Sequence, residues 1–211
     1  MFSRTLPSVT VHPNVLFSIL DHYLRRNDTQ ERVIGTLLGV RNDDNTVIDV
    51  KSCFAVLHRE DSEQVAVDME YHRSMFELHQ RANPKEIIVG WCVAWDHSSA
   101  MDWFFLRYST GSELNTYSAL IQNFYLQETA PQQAVHITMN TGTQEGDEPG
   151  IKGYIRFVDS LRKCCLFSKL ASSPVGVYPK PENCVFIPVP VTLSELPAER
   201  SARRLLFKPQ D

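Results

Sequence analysis

One apolar run of strand length, Glu86 to Trp95, constrains the fold of this chain more than any other segment. The run is almost uninterrupted by polar residues, which is typical of a central strand that is covered on both faces. Gly90 lies in its middle, where a residue without a side chain predicts the close approach of another backbone. The sequence therefore predicts an α/β domain built around one buried strand.

Further β-rich runs and segments with helical spacing surround the central run, in the order β-α-β-β-α-β-α-β-β. A polar Asn/Asp cluster after Arg41 predicts a hairpin between two of the strands. Asp68 begins one helix and Asn83-Pro84 ends it. The predicted strands are Ser8–Val11, Val33–Val40, Thr46–Leu57, Glu86–Trp95, Ala134–Met139 and Ile151–Val158, and the predicted helices are Pro13–Arg26, Met69–Ala82 and Ser112–Gln127.

Composition changes beyond Ser160, and six prolines fall between Pro174 and Pro197. We therefore expect one domain over residues 8–160 and a proline-rich C-terminal extension over 161–211, partly ordered or forming an interface. One short strand is predicted in the extension, Cys184–Val191. Because prolines interrupt it, this segment should lie at a sheet edge or form no strand.

Charge and cysteine content narrow the range of functions. The net charge is -4, and no basic block occurs in the first 150 residues, so direct RNA binding is not expected. No apolar run approaches the roughly twenty residues of a membrane span, and no secretory signal is visible. The five cysteines include no Cys-x-x-Cys pair, which favours reduced thiols over disulfides or a zinc knuckle. We expect a soluble cytoplasmic protein.

Three motifs in consistent order resemble one known family. They are Arg32–Gly39, which reads Arg-Val-Ile-Gly-Thr-Leu-Leu-Gly, then Glu63–Tyr71, and then Ile88–Trp91. Through these motifs, the segment from Thr10 to Val158 resembles the F-subunit family of eukaryotic translation initiation factor three, an inactive MPN-domain family. The resemblance implies an MPN (JAB/MPN-like) fold, a mixed, curved β-sheet flanked by helices. One departure is Asp96–Tyr108, thirteen residues that interrupt the family's Gly-Trp-Tyr-x-Thr-Gly run.

The resemblance also allows a test for catalysis. Metal-dependent MPN hydrolases hold zinc with His-x-His and a downstream Asp, and use a Glu as general base. Zinc hydrolysis needs about three protein ligands and an open position for water. Arg32 occupies the glutamate position and, as a permanent cation, cannot act as a base. The two histidine positions hold Val93 and Trp95, or Ser109 and Gly111 if the insertion is skipped, and in that second alignment the aspartate position holds Gln122. The resemblance therefore implies no catalytic residue, no metal and no cofactor.

By the same resemblance, the chain should be a scaffold subunit of the initiation factor 3 complex. It should support assembly of the 43S preinitiation complex and mRNA recruitment on the 40S ribosomal subunit, pair with the MPN-containing H subunit, and contact the M subunit. One alternative is a non-catalytic MPN subunit of the proteasome lid or signalosome. A zinc-dependent deubiquitinating isopeptidase is the remaining alternative.

Two groups of residues are candidates for the subunit interface. Leu16 and Leu20 lie on the first predicted helix, and MPN pairs commonly dock through helices. Trp103, Phe104 and Phe105 lie in the insertion, where aromatic residues without interleaved basic residues favour protein contacts over base stacking.

His72 and His79 could share one helical face as metal ligands do. No third ligand is spaced with them, so we expect both to pack and form hydrogen bonds against the sheet.

Overall fold

The computed structural model describes residues 6–27, 30, 32–61, 64–95, 114, 116–141, 150–157 and 185–194 of the chain. Ten strands and three helices occur within this part. The strands are β1 (Ser8–Val11), β2 (Arg32–Arg41), β3 (Val47–Val56), β4 (His58–Asp61), β5 (Gln64–Val67), β6 (Ile87–Trp95), β7 (Val135–Asn140), β8 (Ile151–Phe157), β9 (Val185–Val189) and β10 (Val191–Leu193), and the helices are α1 (Pro13–Leu24), α2 (Met69–Ala82) and α3 (Thr116–Glu128). A membrane-spanning helix would have to be longer and more apolar than any of the three helices that the structure describes.

Eight strands form one sheet in the order β10-β1-β3-β2-β6-β7-β8-β9, and β4 and β5 form a separate hairpin. The β1–β3, β1–β10 and β6–β7 pairs are parallel, and the other pairs of the sheet are antiparallel. The sheet is therefore mixed and has helices on both faces, as predicted. The apolar run Glu86–Trp95 forms β6 at its centre.

Gly90 confirms the prediction of a close backbone approach. Strand β7 runs parallel to β6, and Gly90 is the register partner of Val135. A Cβ atom added at Gly90 would lie 1.9 Å from the backbone oxygen of Val135, which leaves no room for any side chain. The glycine therefore permits the central strand pair.

Local sequence signals set most of the other element boundaries. The Asp68 carboxylate accepts a hydrogen bond from the Tyr71 backbone N–H at the start of α2, and the helix ends at Ala82, before Asn83-Pro84. Between β2 and β3, Asn45 adopts a left-handed conformation with φ of 53°, which asparagine tolerates better than most residues. The β4–β5 hairpin was not predicted, and α1 ends two residues earlier than predicted.

Two apolar cores lie on opposite faces of the sheet. The first core packs beneath α1 and the second beneath α2 and α3, and alternate residues of β6 point into each. The fully buried side chains of the first core include Val15, Leu37, Ile48, Val89 and Ile137, and those of the second include Ile34, Leu38, Trp91 and Tyr125.

Residues 185–193 connect the two ends of the sheet. β9 pairs with β8 at one end and β10 pairs with β1 at the other, and only Pro190 separates β9 from β10. The single strand predicted over Cys184–Val191 is therefore two strands, because the segment changes partners at Pro190. Its prediction as a sheet edge is confirmed. We call residues 185–193 the edge strap.

Candidate functional site

Three of the residues that were aligned with catalytic positions of MPN hydrolases lie at one end of the sheet, where β2 begins and β6 ends. Arg32 is the direct antiparallel partner of Trp95, and Ile34 is the partner of Val93. Directly opposed residues of such a pair point to the same face of the sheet. The fold thus brings together the positions that a general base and two metal ligands would occupy.

The side chains at this end of the sheet have a structural role. Val93 is buried in the second core, and Trp95 packs against that core. Valine has no lone pair, and the indole N–H of tryptophan only donates. Neither residue can therefore bind a metal ion through its side chain.

Gln122, at the position of the third ligand, bridges α3 to the sheet. Its Oε1 accepts a hydrogen bond from Trp91 Nε1 at 2.7 Å, and its Nε2 donates to the backbone oxygen of Ala134 at 2.8 Å. The side chain is fully buried. Both ends of the amide are thus used to join the helix to β6 and to the residue before β7.

The alternative ligand positions, Ser109 and Gly111, lie outside the described residues. So do Trp103, Phe104 and Phe105 of the candidate interface and the insertion Asp96–Tyr108. Within the part of the chain that the structure describes, no three His, Cys, Asp or Glu side chains lie close enough together to hold a metal ion.

A buried polar cluster lies further along the same face of β2. Thr36 Oγ1 forms hydrogen bonds with His72 Nε2 at 3.0 Å and with the Tyr125 hydroxyl at 2.5 Å, which links β2 to α2 and α3. Burial, with a smaller contribution from Arg73, lowers the pKa of His72. Burial is also the main cause of a raised pKa at Tyr125. Both groups are therefore neutral near pH 7, as a buried cluster requires.

His136, Trp91 and Tyr125 form a stack of three rings. The centroids of Trp91 and His136 are 3.7 Å apart with planes inclined by 14°, and those of Trp91 and Tyr125 are 6.1 Å apart with planes inclined by 7°. Burial lowers the pKa of His136 to about 3. No sequence pattern indicated this arrangement, because β7 lies beside β6 only in the folded sheet.

The two candidate metal histidines on α2 have separate partners. His72 forms its hydrogen bond with Thr36 in the core, as predicted. His79 Nε2 lies 2.7 Å from Glu86 Oε2, just before β6. Each histidine therefore fastens α2 to a neighbouring segment.

The candidate interface residues of α1 differ in burial. Leu16 is 7% exposed and belongs to the first core, and Leu20 is half-buried against that core. Leu24 is 78% exposed, and Phe17 is half-buried. Because these positions follow helical spacing, Phe17, Leu20 and Leu24 form an apolar stripe along the outside of the helix.

A comparison with known protein families gives a match over the first half of the chain. Residues 4–102 match the family described as JAB1/Mov34/MPN/PAD-1 ubiquitin protease. The match includes β2 and β6, and therefore the end of the sheet at which Arg32 and Trp95 meet.

Curated relatives match nearly the whole chain. A protein of Mycosarcoma maydis, named as the F subunit of eukaryotic translation initiation factor 3, is 53% identical over 211 residues, which is 98% of this chain and 58% of the relative. Proteins of the same name are 39% identical in Schizosaccharomyces pombe (99% of this chain, 62% of the relative) and 42% identical in Aspergillus fumigatus (97% and 51%). The chain thus spans between half and two thirds of the length of these relatives.

Proposed function

We propose that this chain is a non-catalytic scaffold subunit of the initiation factor 3 complex, because residues 4–102 match a JAB/MPN family and relatives that are 39–53% identical are named as the F subunit of eukaryotic translation initiation factor 3. In that role it supports assembly of the 43S preinitiation complex and recruitment of mRNA on the 40S ribosomal subunit. Its site of action is the cytoplasm.

The pairing of Arg32 with Trp95 carries the non-catalytic part of this proposal. A zinc hydrolase needs a carboxylate base beside its metal-bound water, and a guanidinium at that position holds its proton at every physiological pH. The neighbouring Val93 and Trp95 offer no lone pair to zinc, and the amide of Gln122 is already bound to Trp91 and Ala134.

The family resemblance is the basis for proposing partner subunits. We propose that the chain pairs with the MPN-containing H subunit, contacts the M subunit, and reaches the 40S subunit through the complex. The apolar stripe of Phe17, Leu20 and Leu24 on α1 is the surface that we assign to subunit pairing, since apolar side chains that are partly or fully exposed at helical spacing suit helix docking. Leu16 supports this surface from below as a core residue.

We also propose two parts for the chain, an MPN domain over residues 8–160 and a C-terminal extension over 161–211. The edge strap ties the extension to the domain, since its strands pair with β8 and β1. Within the described residues, the edge strap is the part of the extension that adds strands to the sheet.

Affinity purification of the tagged chain from cells of its source, followed by mass spectrometry, tests the scaffold role. We expect initiation factor 3 subunits and 40S ribosomal proteins to be enriched over an untagged control. Enrichment of proteasome or signalosome subunits in their place would contradict the assignment. Cleavage of ubiquitin conjugates that is sensitive to a chelator and lost in an Arg32→Ala variant would contradict the non-catalytic part.

A further inference from the structure

A pocket of about 350 Å³ lies at the end of β2 and β6 opposite to Arg32 and Trp95. The turn between β2 and β3, the start of β6 and the loop after α3 enclose it. We call it the turn pocket. Its volume is near the lower end of the roughly 300–1,000 Å³ range of small-ligand pockets, so it has room for a side chain and its backbone but not for a folded element.

Arg41 is the main cationic group of the turn pocket. Its Nη2 donates to the backbone oxygens of Val89 at 3.0 Å and Gln133 at 2.6 Å, and no described carboxylate pairs with its charge. Its Nε is buried without a hydrogen-bond partner among the described residues. Partial burial lowers the pKa of Arg41 to about 10, so the guanidinium is still charged at neutral pH. The fold thus holds a cation at this pocket that forms no ion pair with any of the described residues.

The other lining residues define what an occupant must offer. Lys85 adds a second, exposed cation, and no described residue forms an ion pair with it. Asn45 also lines the pocket, but its side-chain oxygen is buried and is not accessible to an occupant. Ile87 is 42% exposed and provides an apolar surface. Asp43 is the one carboxylate among the described lining residues.

We propose that the turn pocket binds a carboxylate on an extended acidic segment of a partner protein, with Arg41 and Lys85 as the recognising cations. The Nη1 atom of Arg41 forms no hydrogen bond among the described residues and can donate to a carboxylate oxygen. The binding is independent of the scaffold role proposed above and adds a second contact surface, at the end of the sheet away from Arg32.

Titration of the ¹⁵N-labelled full chain with three short peptides, in 150 mM NaCl, tests the proposal by amide chemical shifts. Acetyl-Ala-Glu-Ala-amide carries a side-chain carboxylate, acetyl-Ala-Gln-Ala carries only a terminal carboxylate, and acetyl-Ala-Gln-Ala-amide carries none. We expect the glutamate peptide to shift the amides of residues 41–45 and 85–87. Larger shifts with the free-acid glutamine peptide would indicate that the pocket prefers a C-terminal carboxylate to a side-chain carboxylate. That result would overturn the proposal that an internal segment of the partner binds.

Two neighbouring aspartates provide matched variants. Asp43→Asn removes the repelling carboxylate from the pocket lining and should tighten binding of the glutamate peptide by roughly twofold to fivefold. Asp44→Asn changes the adjacent exposed residue, which does not line the pocket, and should change affinity less. Lys85→Gln should weaken binding by a similar factor. Equal shifts with the uncharged peptide, stronger shifts with inorganic phosphate, or no shifts at all would overturn the proposal.

Discussion

The sulphur atoms of Cys53 and Cys92 lie 3.5 Å apart, although strand β2 runs between the strands that carry them. Both cysteines are free thiols, and they meet above Gly35. A Cβ atom at Gly35 would lie 2.8 Å from Cys53 Sγ and 2.9 Å from Cys92 Sγ. Gly35 is the first glycine of the motif Arg32–Gly39. A glycine is required there because side chains from two other strands meet above it. The hydrogen bond with Cys92, and then burial, raise the pKa of the Cys53 thiol, so this thiol stays protonated at neutral pH.

Gly35→Ala should destabilise the protein by about 1–3 kcal/mol, because the added methyl group forces the two sulphur atoms apart in a packed core. Urea unfolding followed by circular dichroism measures this change. Adding Cys53→Ala to the same chain removes the nearer sulphur and should restore part of the loss. If the double variant is as unstable as the sum of the single variants, the crowding explanation is wrong.

Gly153→Ala should release the edge strap from the sheet. A Cβ atom at Gly153 would lie 2.6 Å from a methyl carbon of Val191 and 3.1 Å from one of Val189. Hydrogen exchange should then accelerate at the backbone N–H of Val9, which donates to the Pro190 oxygen at 2.9 Å. Gly150→Ala is the control, because a Cβ atom there meets nothing within 4 Å. Equal exchange rates at Val9 in the two variants would rule out this effect.

Acidification should destabilise the fold through His136. Its pKa in the folded protein is about 3, against an ordinary value of 6.5, so between these values the unfolded chain binds a proton that the folded chain excludes. The contribution of neutral His136 to the free energy of unfolding is therefore complete above the ordinary pKa and decreases as the pH falls. Between pH 7 and pH 5 this residue lowers the free energy of unfolding by about 2 kcal/mol. His136→Phe keeps a ring against Trp91 and does not titrate. Chemical unfolding at several pH values should give a shallower decrease for this variant, and an unchanged slope would contradict the prediction.

Leu24→Asp should weaken the subunit pairing that we propose without unfolding the domain, because Leu24 is 78% exposed on the outer stripe of α1. Co-purification of the initiation factor 3 subunits measures the pairing, and the melting temperature measures stability. Leu16→Asp is the contrasting variant, since it places a charge in the first core and should reduce stability by about 3 kcal/mol or more. Normal pairing by a folded Leu24→Asp variant would exclude the stripe as the interface.

Local signals were sufficient to predict much of this fold. The uninterrupted apolar run predicted β6, Gly90 predicted the close neighbour of β6, and Asp68 with Asn83-Pro84 predicted both ends of α2. Each signal depends on a few consecutive residues, through side-chain periodicity or a backbone restriction, and can therefore be seen without the fold. The short β4–β5 hairpin lacked such a signal and was missed.

At the candidate site, too, the sequence predicted some features and missed others. From the sequence alone, Arg32 could be compared with a catalytic glutamate, and residue chemistry excluded it as a base. The sequence did not show that Arg32 faces Trp95, that Gln122 holds Trp91, or that His136 stacks on the same indole. These contacts join residues that are 31 or more positions apart in the chain, and no local pattern specifies which distant groups meet.

The sequence by itself determined the central strand, the helices with clear boundaries, and the residue types that stand where an MPN hydrolase has its catalytic groups. Only the tertiary structure decided that Val9 pairs with Val191 across almost the whole chain, and that Arg41 has no carboxylate partner among the described residues at the turn pocket. The physical reason is that periodicity and capping act within one element, whereas strand pairing, burial and charge compensation depend on elements brought together by folding.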